Sequence, residues 1–62
     1  MLLRIIEDFL ARTGMPWTKF GRIVAHDPRL VGDMRNGRQP RPALADRIIH
    51  FIETFQEGTH AL

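Results

Sequence analysis

The chain has 62 residues and a formal net charge of +2, enough for one small domain of marginal stability, because a chain of this size buries only about 60% of the surface it exposes when unfolded. It contains no Cys, Ser or Tyr, which excludes disulfides, thiolate metal sites, thiol nucleophiles and serine-based acyl transfer. No apolar run approaches the roughly 20 residues of a membrane helix, and the opening MLLRIIEDFL carries acids and lacks a small-residue cleavage site, so a soluble, intracellular protein is expected.

The first predicted helix covers residues 2–13. On a helical wheel Leu2, Leu3, Ile6, Phe9, Leu10 and Thr13 share one side, and Arg4, Glu7, Asp8 and Ala11 the other. Ile5 falls at the edge of the apolar stripe, and Gly14 is placed to end the helix. The second helix, 16–25, opens on Pro16, a residue tolerated in a first turn. Phe20, Ile23 and Val24 point inward with Trp17 beside them, while Thr18, Lys19 and Arg22 point outward. Gly21 inside this helix costs about 1 kcal/mol relative to Ala; close approach of a neighbouring helix is the expected compensation.

Asp27 followed by Pro28 is a start signal, an N-cap acceptor before Pro at the first helical position. The third helix is expected over 28–36, with Gly37 closing it. Leu30, Val31 and Met34 make its buried stripe; Arg29, Gly32, Asp33 and Asn36 make the opposite face. Arg38 to Pro42 reads as a stiff basic loop, since each Pro biases the preceding residue toward extended backbone. The fourth helix is expected over 42–57, ended by Gly58, with 58–62 as a tail. Leu44, Ala45, Ile48, Phe51, Ile52 and Phe55 form its apolar face, and Ile49 lies off that stripe. The period-2 alternation of strands is absent, so the chain reads as a single all-α domain of four helices.

Charge is unevenly spread along these elements. From residue 19 to 47, Lys19, Arg22, Arg29, Arg35, Arg38, Arg41 and Arg47 outweigh Asp27, Asp33 and Asp46 by four charges. The two ends hold Arg4 and Arg12 against Glu7, Asp8, Glu53 and Glu57. A basic middle between acidic ends suggests one face turned toward a polyanion, and the predominance of Arg suits bidentate pairing with phosphate or a guanine edge.

Two short helices joined by a tight turn, with a basic loop after the second, match a helix-turn-helix. Residues 16–42, PWTKFGRIVAHDPRLVGDMRNGRQPRP, resemble the Cro/repressor-type (XRE-like) helix-turn-helix of the lambda-repressor-like fold found in bacteria and phages. Phe20-Gly21 stand at the family's Leu-Ala, Val31 at its buried Ile, Met34 at the next core position and Gly37 at the closing Gly. The chain departs from the family at four places. Ala25 stands where the turn usually has Gly, which moves the left-handed residue to His26. Trp17 replaces a DNA-contacting Gln, Gly32 a frequent Ser and Arg35 a frequent Glu.

The resemblance implies a sequence-specific DNA-binding transcriptional regulator, cytoplasmic and nucleoid-associated, with helix 28–36 in the major groove of double-stranded DNA. Arg29, Asp33 and Asn36 would then face base edges, with Gly32 letting the backbone come close. Thr18, Lys19, Arg22, Arg38 and Arg41 would grip phosphates and set register. Blander roles stand beside these. Arg29 and Asp33, four residues apart, would equally pair with each other on a solvated helix. Arg35 lies nearer the core side and suits an acid on another helix, Arg47 suits solvent, and Trp17 a half-buried plug.

One such unit reads only a few base pairs, so a homodimer spanning half-sites about 34 Å apart is expected. Its contacts would come from Ile5, Ile49, Phe51, Phe55 and Leu62. Two other readings use the same chain: an architectural protein coating DNA with little base reading, and a protein-binding adaptor. A regulatory protein partner is compatible with each. His26, His50 and His60 are too scattered for a metal site, and neither a phosphate-cradling glycine loop nor a paired-carboxylate cleft is present. No metal, cofactor or enzymatic activity is expected.

Overall fold

The apolar spacing folds as four helices in a computed structural model that describes residues 1–55: α1 (Leu2–Thr13), α2 (Trp17–Ala25), α3 (Leu30–Arg35) and α4 (Pro42–Thr54). No strand occurs among these residues. The core takes Ile6, Phe9 and Leu10 from α1, Phe20 and Val24 from α2, Leu30, Val31 and Met34 from α3, and Ile48 from α4. Phe9 stands at its centre, with ring centroids 5.7 Å from Phe20, 5.8 Å from Phe51 and 5.1 Å from Phe55. Tilted and edge-on arrangements of this kind let one ring's positive edge meet another's negative face. No helix among the described residues is long and apolar enough to cross a membrane.

The helix ends follow local chemistry. Gly14 adopts φ 75° and donates its N–H to the Leu10 carbonyl, closing α1. Regular α3 is shorter than the expected 28–36. Pro28 and Arg29 form a turn in which Leu30 N–H donates to the Asp27 carbonyl at 3.1 Å, and Asn36 N–H and Gly37 N–H close tight turns on Asp33 and Met34. Bonds of this i→i+3 type tighten both ends and leave six residues of α-helix. The helix expected to reach residue 57 has its last helical residue at Thr54. Phe55 is extended (φ −68°, ψ 130°), and the Thr54 hydroxyl donates back to the His50 carbonyl at 2.8 Å in the last turn. Gly58 and the expected tail lie outside the described residues.

One inward assignment is corrected. Ile23 is 47% exposed, because Gly21 is buried and rotates the buried stripe of α2 toward Phe20, Gly21 and Val24. Ile5, at the edge of its stripe, is exposed.

Candidate nucleic-acid interface

The connection between α2 and α3 is determined by three consecutive residues. His26 adopts the left-handed conformation (φ 53°, ψ 31°) and donates its N–H to the Arg22 carbonyl at 2.9 Å, so the turn's left-handed residue is His26 and Ala25 stays helical. Asp27 N–H donates to the Gly21 carbonyl at 3.2 Å. A Cβ at position 21 would collide with the Asp27 carbonyl oxygen and come within 3.1 Å of Leu30 Cβ. Gly21 is thus the contact that lets α3 lie tightly against α2. Asp27 closes the turn ahead of α3, its Oδ1 accepting the Arg29 N–H at 3.0 Å; Arg29, and not the expected Asp27, is the N-cap of regular α3.

A second set of contacts stacks α1, α3 and α2. Arg35 donates from Nε and Nη2 to the two Glu7 carboxylate oxygens at 2.7 and 2.9 Å, a bidentate pair between α3 and α1. Its guanidinium also lies 5.4 Å from the centre of the Trp17 ring on α2. The same indole fills the space beside Gly32, where a Cβ would stand 3.0 Å from the ring. The missing side chain at 32 makes room for Trp17. Arg47 is exposed as expected and also donates from Nη1 to the Val24 carbonyl at 3.1 Å, tying α4 to the last turn of α2.

The residues expected at base edges are differently engaged. Arg29 is exposed, and its side chain makes no ion pair or hydrogen bond among the described residues. Asp33 does not pair with Arg29; its carboxylate lies 3.3 Å from Arg38 Nη1. Asn36 turns its amide back, donating to the Gly32 carbonyl at 3.2 Å. Of the residues expected at phosphates, Lys19, Arg22 and Arg41 are exposed and Thr18 is half-buried. Arg38 instead folds over the start of α3, with Nη1 2.8 Å from Asp27 Oδ2. Sequence reasoning missed this contact because nothing in the RQPRP loop's composition fixes its path.

These pairings shift two carboxyl groups. Arg35's hydrogen bonds hold the Glu7 carboxyl below its ordinary value. Asp27 is lowered by the Arg38 hydrogen bond first and the Arg29 N–H second.

The residues expected to form a dimer contact are divided. Ile5 is 42% exposed and Ile49 is half-buried, whereas Phe51 and Phe55 pack against the core. Phe51 and Phe55 are thus chiefly structural, and Leu62 lies outside the described residues. A shallow recess of about 420 Å³ lies between the start of α1 and the loop after α3, lined by Leu2, Leu3, Met34, Gln39 and Pro40 among others. Arg38 is the one ionisable side chain on its walls among the described residues. Comparisons with family models, curated proteins and solved structures find no match to this chain.

Proposed function

We propose that the chain binds double-stranded DNA as a sequence-specific transcriptional regulator of bacterial or phage type. In this reading it is a helix-turn-helix domain of lambda-repressor-like type, with α3 in the major groove. The observation that carries the reading is the α2–turn–α3 unit. Its left-handed His26, its close Gly21 contact and the Asp27 bond to the Arg29 N–H hold α3 against α2, with Arg29 exposed in the turn ahead of α3. Arg29 is the residue for a guanine edge, taking O6 and N7 bidentately. Lys19, Arg22 and Arg41 supply phosphate contacts, with Thr18 beside them. Two copies, joined through Ile5, Ile49 or Leu62, would read two half-sites on DNA in the cytoplasm.

A second reading is favoured by one observation. Asn36 and Asp33 are both satisfied within the protein, by Gly32 and Arg38, which leaves Arg29 as the side chain of that face without such a bond. A chain that keeps those bonds on DNA reads few bases and coats the duplex.

Titrating a labelled duplex at graded salt tests the proposal. The expected slope of log K against log[salt] is about −3 for one chain whose Lys19, Arg22 and Arg41 neutralise three phosphates, and about twice that for a dimer. Arg29→Ala is expected to reduce discrimination at particular bases by about 1–3 kcal/mol. Equal loss on every duplex sequence supports the coating reading, and absence of binding at low salt removes both.

A further inference from the structure

Arg38 is the first residue after the Gly37 turn, and three contacts hold it to α3 and the turn ahead of it. Its N–H donates to the Asp33 carbonyl at 2.9 Å. One guanidinium nitrogen, Nη1, lies 2.8 Å from Asp27 Oδ2 and 3.3 Å from Asp33 Oδ2. Asp27 precedes α3 and Asp33 lies within it, so one cation spans the two acids on either side of Arg29 in the chain. Those carboxylates are the negative charges of the α3 face that the proposed function turns toward the duplex. Bare acids there repel a duplex, since like charges brought together in an interface weaken it strongly. The loop's other cation, Arg41, makes no ion pair or side-chain hydrogen bond among the described residues.

We propose that Arg38 is a positioning residue for DNA binding: it neutralises Asp27 and Asp33 and ties the loop to α3, while Arg41 grips phosphate. This rests on the DNA-binding reading and reassigns Arg38 within it. The distinction matters because the two roles respond oppositely to loss of a carboxylate. If Arg38 serves to mask the acids, removing an acid makes Arg38 dispensable. If Arg38 holds a phosphate, removing an acid leaves that contact still missing.

The test compares Arg38→Gln, Arg38→Gln/Asp33→Asn and Arg38→Gln/Asp27→Asn on one labelled duplex, with helicity checked by circular dichroism. Asn at 27 keeps a side-chain oxygen to accept the Arg29 N–H. The charge-matched control is Arg38→Gln/Asp46→Asn, with Asp46 exposed on α4. Arg38→Gln is expected to weaken binding about tenfold, with either Asn at 27 or 33 restoring it to within about twofold and the Asp46 control restoring nothing. Equal recovery in all three double variants, or in none, overturns the proposal. A measurement on the unsubstituted protein stands apart from any folding defect: the guanidinium resonances of Arg38 keep their positions when duplex is added, and those of Arg41 move. Movement of the Arg38 resonances overturns the assignment. If the unsubstituted protein binds no duplex, the DNA-binding reading fails and this inference with it; binding without rescue overturns this inference alone.

Discussion

At the scale of single residues, two glycines explain more of the architecture than any charged side chain. Gly21 is required because the Asp27 carbonyl and Leu30 occupy the space a side chain would need. A Gly in mid-helix normally lowers stability, yet Gly21→Ala is expected to destabilise the fold by about 1–3 kcal/mol, since a rigid backbone oxygen must shift to admit the methyl group. Thermal unfolding followed by circular dichroism checks this; a stabilised variant would show that α3 does not lie so close. The requirement was readable in the sequence, because an interior Gly in an otherwise regular helix calls for a close neighbour. Gly32 was not readable in the same way. Its partner, Trp17, comes from another helix fifteen positions away, and no periodicity relates the two.

The elements are linked by pairings that cross from helix to helix. Arg35, Glu7 and Trp17 connect α3, α1 and α2, while Arg47 connects α4 to the end of α2. That Arg35 would find an acid on another helix followed from its position near the core side of α3. The partner of Arg47 did not follow, because a backbone carbonyl leaves no mark in sequence. The position of the turn at His26 was readable from Ala25, since a residue with a Cβ resists positive φ and His tolerates it better. The shortened α3 and α4 were not readable, because tight terminal turns depend on where the ends pack.

The acid pairings have a pH consequence. Glu7 and Asp27 titrate below their ordinary values of 4.5 and 3.8 in the folded chain, so the unfolded chain binds more protons in that range. Their stabilisation is therefore complete above about pH 5 and is lost as pH falls through the lowered native values. The melting temperature is expected to decline below pH 4.5, and Glu7→Gln to show a shallower decline than the unsubstituted protein. The fall is modest because both pairs are partly exposed to water. An identical profile for Glu7→Gln would show that the Arg35 pair contributes nothing to the decline.

For the molecule as a whole, a small aromatic core carries the fold and leaves the polar face of α2 and α3 available. Phe9 contacts three other rings, and Phe9→Ala is expected to cost about 3–5 kcal/mol, comparable to the total stability of so small a domain. That variant should show little helix by circular dichroism at room temperature, and full helicity would mean that the core repacks without the ring. The four-helix composition of this core was legible from apolar spacing, with Ile23 the exception. The candidate interface was legible in its exposed Lys19, Arg22 and Arg41 but not in its internal bonds, because Asn36, Asp33 and Arg38 satisfy one another or their own backbone once α3 and its loop are placed.

Whether α3 reads DNA sequence is decided by selection from a randomised duplex library at about physiological salt, where non-specific binding is weak. The expected result is enrichment of a short motif containing a guanine that Arg29→Ala no longer selects, repeated as a pseudo-palindrome if two copies bind together. Recovery of duplexes with no enriched sequence, or of none at all, would contradict it.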